Sequence, residues 1–219
     1  FNDSHEGSRE LALGDTVTSH IWQSGDVDYY KFQAPAGLIA CHLEGSGAVG
    51  LTMRLERGDG TVVGDSAGTW LVADLPGQDT YFLRVQEGGG PGIVDGIKGE
   101  ERTEFDARYA VSLRPFLATH EVGQAKDYAK IGEALEAARP GATILVWPGT
   151  YRELIFLIED GVSLIGASAY TTTIEGNILV GNETDRIQLR GFSIDSGAER
   201  PGYVVEFTPG NPLVEVVSG

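Results

Sequence analysis

The first half of the chain alternates apolar and polar residues with the period of two that is typical of half-buried β-strands. Each alternating run is short, at most seven residues, and is bounded by turn residues such as glycine. Asp59 followed by Gly60, between two of these runs, is a strong hairpin signal. About eight short strands with frequent turns predict an antiparallel β-sandwich. The runs are 16–21, 27–33, 38–43, 51–55, 61–63, 70–73, 80–85 and 109–113.

The second half opens with a segment whose apolar residues follow the helical period. We predict an amphipathic helix near 128–138, which Pro140 and Gly141 bring to an end. The residues on its apolar face are Ile131, Ala134, Leu135 and Ala138.

After this helix the sequence repeats itself, and each repeat is too short to form a globular domain of its own. The segment 162–166 returns as 187–191 and then, approximately and at a similar spacing, as 214–218. A second short strand follows within each of the first two units, at 173–175 and 192–194. Repeats of this length, built from short strands without helices, predict a solenoid whose rungs stack in parallel.

Charge and composition exclude several classes of protein. The 32 acidic residues exceed the 16 basic ones and give a net charge of −16, which argues against a nucleic-acid or anionic-membrane binder. No apolar run approaches the roughly 20 residues that span a bilayer, so we expect no membrane insertion.

The chain starts at Phe1 without Met, as a processed secreted chain or an expressed fragment does, and we expect a secreted or cell-surface protein. The single cysteine, Cys41, shares a strand face with Ile39 and Leu43, which favours a core residue over a nucleophile.

The first half resembles a known family of exported domains. The matching landmarks, in order, are 13–17, 25–32, Ala36 with Gly37, Leu55 with Asp59 and Gly60, Gly77 with 80–85, and 109–113. They resemble the bacterial pre-peptidase C-terminal (PPC) domain over roughly residues 8–115. The resemblance implies a jelly-roll β-sandwich of the kind appended to secreted proteases and other exported enzymes. The long polar loop predicted at 88–106 departs from the compact family pattern.

The second half resembles the N-terminal end of right-handed parallel β-helix proteins of the pectin-lyase-like superfamily. The match covers 121–195 and follows the order of capping helix, strand, turn and first rungs. Its landmarks are Tyr128, Ile131, Ala134, Ala138, Gly141, 144–146, 148–153 and 161–166. The predicted fold class is therefore all-β: a jelly-roll sandwich at 1–115, a linker at 116–125, and a short right-handed parallel β-helix with an N-terminal capping helix at 126–219.

Catalytic chemistry is weakly represented. Enzymes of this superfamily carry their acids, bases or calcium ligands on the middle rungs, and the esterase-type Gln-Asp pair occurs here only at Gln78 and Asp79, inside the sandwich. None of the four histidines lies in a hydrolase or zinc motif. We therefore assign no catalytic residue and interpret the acids of the second half as a solvated surface. These acids are Glu159, Asp160, Asp185, Asp195, Glu206 and Glu215.

One acidic cluster is a candidate metal site. Asp26 and Asp28 are two residues apart, so on a regular strand both carboxylates would project from one face and repel each other unless a cation lies between them. Calcium takes six to eight oxygen ligands. Some PPC-like domains bind calcium between an N-terminal linker and the sandwich, and the resemblance extends the set to Asp3 and Glu6. The alternative is that Asp26 caps a turn and Asp28 is a solvated strand residue.

Aromatic residues of the first half offer a second candidate site. They could form a platform for a sugar or for collagen, or they could fill the core, and of two adjacent tyrosines only one can face outward. The residues are Trp22, Tyr29, Tyr30, Trp70, Tyr81 and Phe82.

Three functions follow as hypotheses. The first is an exported, non-catalytic module for adhesion, substrate targeting or assembly, with a polysaccharide or an extracellular protein as its partner. The second is the N-terminal part of a polysaccharide-acting enzyme, pectinesterase- or lyase-like, with its catalytic rungs beyond residue 219. The third is a structural subunit that forms homo-oligomers or filaments, because the final apolar rung at 213–217 would leave an open strand edge.

Overall fold

The computed structural model divides the chain into two units, Phe1–Phe116 and Leu117–Gly219, each with its own apolar core. The residues that the structure describes are 3–22, 25–45, 48, 50–66, 68–88, 107–169, 171–181 and 186–195, together with the backbone of the strands at 205–206 and 214–217. The predicted loop at 88–106 lies outside them except for Gly88. Within this described part, no helix is both long and apolar enough to cross a membrane.

The first unit is a β-sandwich, as the alternating pattern predicts. Its strands are β1 (Arg9–Glu10), β2 (Thr16–Ile21), β3 (Val27–Ala34), β4 (Gly37–Glu44), β5 (Leu51–Arg57), β6 (Val62–Ser66), β7 (Trp70–Leu75), β8 (Asp79–Glu87) and β9 (Ala107–Pro115). The first sheet has the order β1-β3-β8-β5-β6 and the second the order β2-β9-β4-β7. Only the short β1 pairs in parallel, with β3; the other pairs are antiparallel. The hairpin predicted at Asp59 and Gly60 joins β5 to β6.

In β3, β5 and β8 every second residue points into the core of the sandwich. In β3 the buried positions alternate with partly exposed ones, so Tyr30 and Phe32 point inward and Tyr29 and Lys31 outward. Cys41 is buried in β4, and this burial raises the pKa of its thiol to about 12. A thiol of such high pKa is protonated at neutral pH, so the prediction of a core residue is confirmed.

The second unit is a solenoid of stacked short strands. Its elements are β10 (His120–Val122), α1 (Ile131–Ala137), β11 (Thr143–Val146), β12 (Gly149–Tyr151), β13 (Ile155–Leu157), β14 (Ser163–Gly166), β15 (Thr172–Glu175), β16 (Ile178–Val180), β17 (Ile187–Arg190), β18 (Ser193–Asp195), β19 (Val205–Glu206) and β20 (Val214–Val217). The strands form three parallel sheets, in the orders β10-β11-β14-β17-β20, β12-β15-β18 and β13-β16-β19. The all-β fold class is therefore confirmed.

The register of the stacked strands confirms the repeat found in the sequence. Ser163 lies opposite Gln188, and Gln188 in turn lies opposite Glu215, so equivalent positions of successive repeats are paired. Parallel pairing places like positions on top of one another, so the inward residues form continuous columns. One such column contains Ile144, Leu164 and Leu189, all of them buried.

Two boundaries differ from the sequence prediction. The expected linker at 116–125 contains β10, which pairs with β11 and belongs to the first sheet of the solenoid. The helix is also shorter than 128–138, because Tyr128 forms a parallel bridge with Val122 before α1 begins. Hydrophobic periodicity marks the buried face of a helix but does not show where its backbone leaves the helical conformation.

A glutamate from the first rung holds the start of α1. The backbone N–H groups of Ile131 and Gly132 donate to the two carboxylate oxygens of Glu153, each at 2.9 Å. These are two of the donors that the first turn of a helix cannot satisfy by itself. The capping helix is thus hydrogen-bonded to the rung that follows it.

Candidate functional site

The outer face of the β2-β9-β4-β7 sheet carries an open groove of about 710 Å³. The residues that line it are Thr18, Ser19, His20, Glu44, Gly45, Arg108, Tyr109 and Ala110. Strand pairing explains the depression: Ala110 of the middle strand lies between Thr18 on one side and Glu44 on the other. A methyl group between two longer side chains leaves a gap, and Gly45 continues it beyond the end of β4.

An exposed aromatic ring lies at one side of this groove. The Trp22 side chain directly follows β2 and is 71% exposed, and its ring centroid lies 3.9 Å from that of the groove residue His20. The backbone N–H of Trp22 donates to an Asp26 carboxylate oxygen at 2.9 Å. Asp26 therefore fixes the backbone that presents the ring.

A buried polar network supports the groove from beneath. Asp28 is only 3% exposed, and one of its carboxylate oxygens accepts hydrogen bonds from the hydroxyl groups of Ser19, at 2.9 Å, and of Tyr109. The hydroxyl oxygens of Tyr30 and Tyr109 are 2.8 Å apart. Since the single hydroxyl proton of Tyr109 is directed to Asp28, Tyr30 donates to Tyr109.

Both tyrosines of this network keep their protons at neutral pH. Burial, followed by the negative charge of Asp28, raises the pKa of Tyr30 to about 12. Burial likewise raises the pKa of Tyr109, and the neighbouring Tyr30 and Asp28 add to the effect. The Tyr109 hydroxyl thus stays a donor to Asp28, and because Asp28 also accepts from Ser19, its carboxylate holds both residues in place beneath the groove.

The four acids of the predicted calcium site have different surroundings. Asp26 and Asp28 do not project together: the first is bonded to the Trp22 backbone and the second points into the sandwich. Asp3 and Glu6 are exposed in the N-terminal segment, where the ring of His5 between them stacks on Phe82 at 4.1 Å. In the described part of the chain, no group of three or more histidine, cysteine or acidic side chains is arranged to hold a metal ion.

Calcium binding stays a prediction on these grounds, because it requires these carboxylates to move together. A rise in the melting temperature on adding millimolar Ca²⁺ would support it. An unchanged melting temperature would refute it.

The aromatic residues proposed as a platform separate into buried and accessible ones. Tyr30 and Tyr81 belong to the core, as the packing alternative predicts. Tyr29 and Phe82 are half-buried next to His5, and Trp70 is half-buried next to Phe116. Of the six, Trp22 is the one whose large hydrophobic side chain is mostly exposed.

The sequence alone does not identify the polar lining of the groove, namely Thr18, His20, Glu44 and Arg108. Their outward orientation follows from alternation within each strand, which the sequence does show. Their proximity depends on β2 and β4 both pairing with β9, and no local pattern specifies that arrangement. For Trp22 and the other aromatic residues, the sequence leaves two alternatives, an exposed platform or a place in the core.

Polar and charged side chains line the groove. The lining includes an imidazole, a guanidinium, three hydroxyl groups, two of which donate to Asp28, and one carboxylate, that of Glu44, which lies 3.1 Å from His42. Hydrolysis of a glycosidic bond ordinarily requires two carboxyl groups facing each other across the substrate. The eight lining residues include one acid only, so they do not form such a pair.

Comparisons with known proteins show low similarity throughout. No protein-family model matches the chain, and no curated protein matches it significantly. Among solved structures, the pre-peptidase C-terminal domain of a collagenase from Bacillus anthracis is 19% identical with a TM-score of 0.36, and the match covers 49% of this chain and 94% of that one. PliG from Aeromonas hydrophila, a periplasmic inhibitor of g-type lysozyme, is 13% identical with a TM-score of 0.34 over 49% of this chain and 97% of that one.

A third match extends over both units. The catalytic domain of a GH87 alpha-1,3-glucanase is 10% identical with a TM-score of 0.31, and the match covers 91% of this chain but only 42% of that domain. The chain therefore spans less than half of the glucanase domain. At these identities and TM-scores the matches carry no argument about activity or ligand.

Proposed function

We propose that this chain is an exported, non-catalytic module that binds a polysaccharide in the groove of its sandwich. The observation that supports this proposal best is the mostly exposed ring of Trp22 beside a polar groove. An exposed indole next to hydrogen-bonding groups suits a sugar, whose ring has an apolar face for stacking and hydroxyl groups for polar contacts.

The surroundings of the ring support a site that is formed before the ligand arrives. Asp26 restrains the backbone of Trp22, and Asp28 restrains the floor of the groove through Ser19 and Tyr109. Side chains that are already ordered lose little conformational entropy when a ligand binds. In this proposal both acids act as positioning residues.

The solenoid then serves as the connection to, or as the beginning of, a larger extracellular protein. Its apolar columns and parallel register provide a rigid support that further rungs can extend. Assembly of copies through the last strand edge stays a separate prediction, which light scattering of the purified chain would test.

Binding can be tested by isothermal titration calorimetry of the full chain with a panel of soluble neutral polysaccharides. We expect Trp22→Ala to weaken binding by about thirtyfold, the loss of about 2 kcal/mol that is typical of an aromatic hot spot. Phe156→Ala is the matched control, because Phe156 is an exposed aromatic residue of the solenoid. Equal weakening by both variants, or no binding to any member of the panel, would contradict the proposal.

A further inference from the structure

The outer face of the other sheet, β1-β3-β8-β5-β6, carries two arginines in an unusual position. Arg54 of β5 and Arg84 of β8 lie directly opposite each other in the strand register, and Tyr29 of β3 continues the same row. Side chains that are directly opposite in antiparallel strands lie about 5 Å apart at their Cβ atoms, and like charges in this position destabilise the pair. A nearby anion would relieve this repulsion.

The chain supplies that compensation to the neighbouring cations of the sheet. Lys31 is 3.0 Å from Glu10, and Arg57 is 2.7 Å from Asp79. Arg54 has a weaker partner in Asp65, at 3.8 Å. Each of these charges is therefore at least partly balanced by a side chain of the same sheet.

Arg84 differs from these three. Among the residues that the structure describes it forms no ion pair, and its buried Nε atom has no hydrogen-bond partner. A buried donor that stays unsatisfied costs free energy, and a charged one costs more. The chain has 32 acidic residues, yet none of those described comes within ion-pair distance of this half-buried guanidinium.

We propose that Arg84 and Arg54 form a binding site for the carboxylate group of a uronic acid in an extracellular polysaccharide. Paired guanidinium groups offer several N–H donors to one carboxylate, which is the geometry that favours arginine over lysine for such anions. This site lies on the opposite outer face of the sandwich from the groove and does not depend on the function proposed above.

The neighbouring side chains favour a sugar over an acidic peptide. Thr52 and Gln86 form the adjacent cross-strand row, so a hydroxyl group and an amide flank the arginines. Tyr29 adds a half-buried aromatic ring on β3, the strand that pairs with β8 on its other side. Hydroxyl and amide groups pair with sugar hydroxyls, and an aromatic ring packs against a pyranose face.

Isothermal titration calorimetry with the full chain tests this proposal. The probes are a tri-uronate oligosaccharide, its methyl ester, which lacks the charge, and a triglutamate peptide. Because the net charge of −16 repels any polyanion, a short probe at moderate salt isolates the local contact. We expect the tri-uronate to bind, and the ester and the peptide to bind at least about tenfold more weakly.

Variants then assign the binding to the arginines. Arg84→Gln should weaken tri-uronate binding by about tenfold or more, whereas the control Arg57→Gln should change it by less than about twofold, since Arg57 is already paired with Asp79. Should Arg84→Gln fail to fold, the exposed Arg54 provides the second variant, Arg54→Gln, with a loss of about fivefold. Trp22→Ala should leave this binding unchanged, which separates the site from the groove.

The proposal is overturned by any of four results. The first is that the tri-uronate does not bind at millimolar concentration, and the second is that its methyl ester or triglutamate binds equally well. The third is that folded Arg84→Gln and Arg54→Gln bind the tri-uronate as the wild type does. The fourth is that Trp22→Ala loses tri-uronate binding.

Discussion

The solenoid and the sandwich bring residues together over very different distances along the chain. In the solenoid, Ser163 lies opposite Gln188, one rung further on. In the sandwich, Thr18 of the second strand and Glu44 of the fourth both lie opposite Ala110 of the ninth. Local stacking repeats one environment and gives uniform apolar columns, whereas long-range pairing places unlike side chains next to one another. The candidate sites lie on the sheets that were assembled by long-range pairing.

The largest expected effect tests how closely the rungs of the solenoid are stacked. A Cβ atom added at Gly166 would lie 2.0 Å from the backbone oxygen of Gly191, which no side-chain rotation can relieve. We expect Gly166→Ala to lower the free energy of unfolding of the solenoid by about 3 kcal/mol or more. Hydrogen exchange measured by mass spectrometry should show increased exchange in solenoid peptides and none in sandwich peptides.

Gly181→Ala is the matched control for this substitution. The added Cβ atom would lie 3.5 Å from its nearest neighbour, the side chain of Ile158, which is an ordinary contact distance. Equal destabilisation by the two variants would show that the stacking distance is not the cause.

The same difference between solenoid and sandwich decides how much of each could be predicted from the sequence. The repeat that relates 162–166 to 187–191 and 214–218 was visible in the sequence and is the register that the structure shows, because a solenoid rung pairs with its neighbour along the chain. The strands of the sandwich were visible as well, since alternation is a local signal. Their order within the sheets was not, and the groove depends on that order.

The two acids at 26 and 28 show the limit of local reasoning most clearly. A spacing of two residues predicts carboxylates on one face of a regular strand, but Asp26 precedes β3 and bonds to the Trp22 backbone. Asp28 lies within β3 and bonds across to the other sheet, to Ser19 and Tyr109. None of these three partners is adjacent in sequence to the acid that it contacts, so the supporting role of the two acids appears only in the folded chain.

High pH should affect the sandwich more strongly than the solenoid. The pKa of Tyr30 is raised to about 12 in the folded chain from its ordinary value of 10.0, so its contribution to stability is complete below pH 10 and is lost as the pH rises toward 12. Two pKa units correspond to about 2.7 kcal/mol in all, of which about half is lost by pH 11. Urea unfolding at pH 8 and pH 11, followed by segment-resolved hydrogen exchange, measures the difference.

Tyr30→Phe should reduce this pH dependence, because the variant has no proton to lose at that position. Some dependence should remain, since burial also raises the pKa of Tyr109 and that of the Cys41 thiol. A sandwich whose stability is the same at pH 8 and pH 11 would contradict the assignment of the network.

A smaller effect is expected from Asp28→Asn. The substitution replaces a charged acceptor of two hydroxyl hydrogen bonds by a neutral amide, and we expect it to lower the free energy of unfolding of the sandwich by about 2 kcal/mol. The control is Asp74→Asn, an exposed acid on the same sheet as the groove, with an expected change of less than about 0.5 kcal/mol. Thermal or urea unfolding of the three proteins compares them directly, and equal stability of wild type and Asp28→Asn would refute a supporting role.

The most direct test of the proposed function is an NMR titration that follows the side-chain indole N–H signals of the three tryptophans. Trp22 lies beside the groove, Trp70 lies on the same sheet but does not line the groove, and Trp147 belongs to the solenoid. With a neutral oligosaccharide that the chain binds, we predict that the Trp22 signal shifts together with the backbone amides of Gly45 and Ala110, while the Trp147 signal stays in place. A titration in which Trp147 shifts and Trp22 does not would contradict the account.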